Sequence, residues 1–169
     1  EMPERMKAGP QFLRLLLSDK DMSLPWTLSV RTTMKWPKKG EPPAGWKTKL
    51  SAPKKAKVGK AIPFKLRMTR TEEATPGPIG VSVGLPPGST VVRSDLEGAR
   101  SKGAIDGYEL RRGRVLLYFQ ADEAVDTLAV GFRVIPRIAG RFRVAPSGIL
   151  GLTTPGATAW FPGPRISVR

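Results

Sequence analysis

Along this chain, apolar and polar side chains alternate in short bursts cut by proline and glycine, the period of strands rather than of helices. The clearest burst is Ile62 to Thr69, where Phe64, Leu66 and Met68 share one face and Lys65 and Arg67 the other. Pro78 to Leu85 sets Ile79, Val81 and Val83 against Gly80, Ser82 and Gly84 until Pro86-Pro87-Gly88 stops it, which predicts a half-buried strand. The same reasoning predicts strands over Gln11 to Leu17, Trp26 to Met34, Trp46 to Ser51, Val115 to Gln120, Leu128 to Ile135, Gly140 to Val144, Ile149 to Leu152 and Arg165 to Val168, with a turn at Val58-Gly59-Lys60. Only Arg93 to Lys102 breaks the pattern. There Ser94 is a candidate N-cap, Asp95 and Glu97 suit the positive end of a helix dipole, Gly98 keeps the helix short and Gly103 ends it.

The expected class is therefore all-β: an antiparallel β-sandwich with one short helix, preceded by additional strands from a neighbouring β-domain. Trp36 to Gly45 carries three prolines and two glycines, and proline neither donates to a ladder nor continues a helix. It marks the joint, with one unit over 1–42 and the sandwich over 43–169. Burying Val81, Val83, Leu116, Tyr118, Val130 and Phe132, each worth roughly 1.5–3 kcal/mol, is expected to make the sandwich rigid. The chain opens at Glu1 and enters strand-like sequence almost at once, so it reads as a piece of something longer. Its longest apolar run, around Phe12 to Leu17, is far shorter than the roughly 20 residues that span a bilayer.

Composition then narrows the chemistry. The 169 residues contain no Cys, no His and no Asn. Within them this excludes disulfides, zinc or haem sites built on Cys or His, N-glycosylation, and the usual nucleophile–base dyads. Asp95 with Glu97, and Asp122 with Glu123, read as solvated acids rather than as an acid–base pair. Gly84 to Gly88 is interrupted by two prolines, whose missing N–H groups cannot cradle phosphate. No catalysis, cofactor or small-molecule substrate is expected.

The formal charge of +15 changes the picture more. Ten basic residues face the single acid Glu41 between Arg31 and Lys60, whereas nine acids and fifteen bases mix from Lys65 onward. Lys38, Lys39, Lys54, Lys55 and Lys57, with Trp36 and Trp46 interleaved, are candidates for a partner-binding surface. The alternative reading is that these lysines protect strand edges from pairing with other sheets. Nucleic acid is not the favoured partner, and an independent adhesion or polyanion-binding sandwich using residues 35–60 stays open beside the reading that follows.

Two blocks carry a family resemblance. The first is Lys57-Val58-Gly59-Lys60, an alternating strand, then Val83-Gly84-Leu85-Pro86-Pro87-Gly88. The second runs from Gly107-Tyr108-Glu109-Leu110 through Arg114-Val115-Leu116-Leu117-Tyr118-Phe119 to Gly140-Arg141-Phe142 and Trp160-Phe161-Pro162-Gly163. Their order resembles the C-terminal, receptor-binding-type domain of the alpha-2-macroglobulin family, of bacterial type, and residues 1–42 are similar to the end of its CUB-like β-domain. The resemblance implies a sandwich with one helix beside it, in the slot of Arg93 to Lys102. It also implies a non-catalytic part of a secreted, periplasmic or membrane-anchored protease inhibitor, whose partners are the other domains of its parent and, through them, proteases.

Animal members present a lysine pair on this helix to a receptor. Thr90 and Ser94 stand at those positions here, so the resemblance does not extend to the receptor-binding lysines, and Arg93 and Lys102 are the nearest basic residues and the candidates for partner binding. Bacterial members carry tyrosines in the strand before the last Trp, where this chain has Leu150 and Leu152. That departure implies a parent without a working thioester, unless Tyr118 or Phe119 occupies the same space.

Overall fold

The computed structural model describes residues 45–72, 74, 76–122, 124–152 and 158–169. They belong to the second of two compact units, Lys35–Arg169. The strands expected over Gln11 to Leu17 and Trp26 to Met34, together with Lys38 and Lys39, lie outside the described residues.

Twelve strands and one helix are described: β1 Trp46–Ser51, β2 Lys55–Ala56, β3 Ile62–Arg70, β4 Gly77–Gly84, β5 Thr90–Val91, α1 Arg93–Ser101, β6 Gly107–Arg111, β7 Arg114–Ala121, β8 Thr127–Ile135, β9 Gly140–Arg143, β10 Ser147–Gly151, β11 Thr158–Phe161 and β12 Arg165–Val168. They form a four-stranded sheet, β1-β3-β8-β5, a five-stranded sheet, β11-β10-β4-β7-β6, and a three-stranded sheet, β2-β12-β9. Every pairing is antiparallel except β2 with β12. The chain is an all-β sandwich, as its alternation predicts.

The core follows from that alternation. β3 turns Ile62, Phe64, Leu66 and Met68 inward and leaves Lys65 and Arg67 exposed. β8 answers in register, with Phe64 opposite Phe132 and Leu66 opposite Val130, and the two phenyl rings stack at 5.9 Å. Val81 and Val83 from β4, Leu117 from β7 and Ile166 from β12 join the same apolar cluster, so one core serves all three sheets.

Two expectations about faces need correcting. On β7 the fully buried residues are Val115, Leu117 and Ala121, with Phe119 nearly so, while Leu116 and Tyr118 are half-buried on the opposite face. All five positions from Val115 to Phe119 are apolar or aromatic, so period two cannot choose the face. The register does, because Val81 and Val83 of β4 lie opposite Leu117 and Val115. β4 is not half-buried either, since Ile79 to Gly84 are all buried. Its polar-side row, Gly80, Ser82 and Gly84, is covered by β10 and by side chains from its neighbours.

The helix forms where expected but with a different N-cap. Val92 is the N-cap and no side chain caps it, so Ser94 does not hold that role. The first turn is held instead by Asp95, whose carboxylate accepts the backbone N–H of Arg133 at 2.8 Å and pairs with its guanidinium at 2.7 and 2.8 Å. Leu96 is completely buried. At the other end Ala104 N–H donates to the Ala99 carbonyl and Gly103 N–H to that of Arg100. This Schellman closure needs the positive φ of Gly103, +67°.

Candidate functional site

The sequence-expected basic residues do not converge on the helix. Arg93 opens α1 and Lys102 follows its last residue. Nine positions put them about 13 Å apart along the axis and about half a turn apart around it. Arg93, but not Lys102, lines a groove beside β6 whose acids are already engaged. Tyr108 donates its hydroxyl to Glu97 Oε1 at 2.5 Å and Tyr118 to Glu109 Oε1 at 2.6 Å. Arg111 adds Nη2 to Glu109 Oε2 at 2.7 Å. The Tyr118 hydroxyl, then Arg111, holds the Glu109 carboxyl below the usual range, and the hydrogen bonds to Glu97 and Glu109 push both phenols up.

The basic residues that do converge lie on the three-stranded sheet. Side chains alternate in β9, so Arg141 and Arg143 point out while Phe142 turns toward the core. β12 repeats this with Arg165 out and Ile166 and Val168 buried. The register sets Arg165 directly opposite Arg143 and Ser167 opposite Arg141. On the other side Lys55 lies opposite Ser167, and the Lys54 carbonyl accepts the Ser167 N–H at 2.9 Å. Lys55 thus lies in the row of Ser167 and Arg141, and Lys54 shares a groove with Arg141, Arg143 and Arg165. Lys57 is exposed just beyond β2, where its carbonyl closes the turn to Lys60.

Two concavities meet at Arg143. A groove of about 950 Å³ has Lys54, Arg141, Arg143 and Arg165 along it and Leu50, Ala52, Phe142 and Ile166 among its apolar lining. A smaller cleft of about 410 Å³ is lined by Arg114, Arg143, Trp160 and the Phe161 to Gly163 turn. Arg114 is fixed there by Nη1 hydrogen bonds to Ser82 Oγ and the Pro146 carbonyl, both 3.0 Å, with its guanidinium 5.6 Å from the centre of the Trp160 ring. Trp160 pairs with Gly148, whose missing Cβ would sit 2.7 Å from the indole. Nothing larger than glycine fits beneath the ring.

Arg114, Arg141, Arg143 and Arg165 were not among the expected site residues. The Arg-x-Arg of Gly140–Arg143 carries the period-two signal, but only the β9–β12 register reveals Arg165 as its neighbour. Chemically the surface can bind anions and apolar groups.

Comparison with solved structures gives this fold a place. Native alpha-2-macroglobulin from Escherichia coli, from domain MG7 to the C-terminus, superposes with a TM-score of 0.62 at 14% identity, over 79% of this chain and 25% of that one. The chain shares its fold with the C-terminal region of that macroglobulin. Escherichia coli alpha-2-macroglobulin activated by porcine elastase matches with a TM-score of 0.60 at 14% identity, over 80% of this chain and 14% of that one. The present chain therefore spans a quarter or less of these macroglobulin chains. No protein family and no curated protein matches it by sequence. Beside the macroglobulin fold, the row expected to carry tyrosines has Leu150 opposite Gly80, with Tyr118 next across the sheet on the same face. Tyr118, not Phe119, lies in the row of Leu150, one strand beyond Gly80.

Proposed function

We propose that this chain is a non-catalytic, C-terminal-type sandwich of an alpha-2-macroglobulin-like protease inhibitor, acting in protease entrapment outside the cytoplasm. The observation that carries the reading is the fold shared with Escherichia coli alpha-2-macroglobulin, in its native form and as activated by elastase. The physics suits the role. A single apolar core spans all three sheets, so the domain moves as a rigid body when neighbouring domains rearrange, and no nucleophile–base pair is needed. Its partners on this reading are the other domains of the longer protein and, through them, a protease. Leu150 and Leu152 in place of tyrosines further suggest a parent that traps without a thioester.

The test uses the longer protein that carries this chain. Mixed with porcine elastase, it is expected to shrink in hydrodynamic radius and to block cleavage of a large protein substrate while sparing a small peptide substrate. Deleting residues 45–169 should abolish both effects. Unchanged radius together with full elastase activity on the large substrate refutes the reading. A Cys-Gly-x-Gln motif upstream would refute the thioester part alone.

A further inference from the structure

The free edge of β9, beside the basic groove, is the strongest unassigned feature of the molecule. Val144 N–H donates to the Pro164 carbonyl at 3.0 Å, one step beyond the Arg143–Arg165 pair. Antiparallel pairs alternate between those that exchange backbone hydrogen bonds and those that do not. Gly140 and Phe142 therefore bond to β12, and the N–H and C=O groups of Arg141 and Arg143 point away from it. β9 ends its sheet among the described residues, and no backbone bond from that side reaches another described residue.

The surroundings define what suits that edge. Arg141, Arg143, Arg165 and Lys54 are exposed and make no ion pair among the described residues. Arg143 and Arg165 face each other directly, an arrangement that costs stability unless an anion lies over it. A pure polyanion would use these charges but not Leu50, Ala52, Phe142 and Ile166, which supply apolar lining to the same groove. An extended peptide that alternates acidic and apolar side chains satisfies the charges, the apolar lining and the unpaired backbone together.

We propose that β9 is a docking edge for an acidic, extended polypeptide segment, which adds to the three-stranded sheet as a further strand and sets its carboxylates against Arg141, Arg143 and Arg165. This does not rest on the macroglobulin reading, because it follows from register, charge and the apolar lining of the groove.

The experiment is fluorescence anisotropy on the full chain with a labelled peptide of alternating Glu and Val, about ten residues long. Its companions are the same peptide with its central amides N-methylated, an alternating Lys and Val peptide, and a heparin fragment. The Glu–Val peptide should bind, while the N-methylated and Lys–Val peptides fail. Arg141→Gln/Arg143→Gln, with its circular dichroism unchanged, should weaken binding roughly tenfold, the sum of two exposed charge pairs. Equal binding of the N-methylated peptide, or of heparin with no response to N-methylation, would show a merely electrostatic surface and overturn strand addition. Failure of the Glu–Val peptide to bind overturns it as well. Elastase trapping by the longer protein is read separately, so either proposal can fail without the other.

Discussion

Leu116 and Leu117 are neighbours of identical chemistry with opposite fates. Leu117 is completely buried, whereas Leu116 looks outward between Ser82 and Glu109. Leu117→Ala is expected to cost about 2–5 kcal/mol, as buried leucines do. Leu116→Ala should cost about 1 kcal/mol, since only part of its area leaves water. Urea midpoints of the two variants decide it, and equal losses would contradict the face assigned to β7. Gly84 makes the same point from the opposite direction. A Cβ there would sit 2.0 Å from the Ala145 carbonyl oxygen, although the backbone itself would accept alanine. Gly84→Ala is expected to destabilise by about 1–3 kcal/mol through forced displacement of the strand pair, visible as a lower midpoint at unchanged slope. In the sequence Gly84 looks like the small residue of an alternating strand. Its necessity comes from the 145–146 turn, sixty residues away, which no local pattern reveals.

Elements were legible in proportion to how strongly one face was separated from the other. β1, β3, β8 and β12 follow their alternation to within a residue, because each places its most buried apolar side chains on one face and exposed positions on the other. β2 and β5 have two residues each and therefore no period, and β6 leaves Glu109, Leu110 and Arg111 exposed. The basic groove was half legible: Lys54 and Lys55 are visible as charges, but their meeting with Arg141, Arg143 and Arg165 needs the β9–β12–β2 register. The helix shows how a correct element can have an unexpected anchor. Asp95 holds α1 to β8 through Arg133, and the Arg133 hydrogen bonds keep its carboxyl below the usual aspartate range against the pull of burial. A depressed folded-state value means that stabilisation is fully present above the ordinary aspartate range near pH 3.9 and fades as pH falls through the lower folded value. Asp95→Asn should therefore lower Tm at pH 7 and flatten the fall of Tm below about pH 4. Glu109, depressed by Tyr118 and Arg111, will leave some acid sensitivity in that variant. A Tm profile for Asp95→Asn parallel to that of the parent chain from pH 7 to 2 would show that Asp95 does not anchor the helix.

At the scale of the whole molecule, charge opposes the fold. Twenty-nine Lys and Arg residues against fourteen acids leave +15, and the pairing of Arg143 with Arg165 places like charges directly across two strands. Self-repulsion of this kind destabilises a compact state and is relieved as the Debye length shrinks from about 10 Å at 0.1 M salt toward about 3 Å at 1 M. Among the described residues, the ion pairs of Arg133 with Asp95 and of Arg111 with Glu109 pull the other way, but each is partly exposed and weakly stabilising. Repulsion should therefore dominate, and Tm should rise as sodium chloride is increased from low to several hundred millimolar. Arg143→Gln removes one member of the facing pair. It is expected to raise Tm at low salt and to reduce the salt response, while a cation elsewhere, such as Arg137→Gln, changes both less because no facing strand places a second arginine against it. Thermal melts of the three proteins at matched salt concentrations separate these effects. A Tm that falls with added salt would mean that ion pairing outweighs repulsion, and an Arg143→Gln response no larger than that of Arg137→Gln would mean that the β9–β12 face carries no special strain. The same melts in the presence of the Glu–Val peptide should raise the Tm of the parent chain more than that of Arg143→Gln, because a ligand that neutralises the facing pair stabilises only where the pair exists.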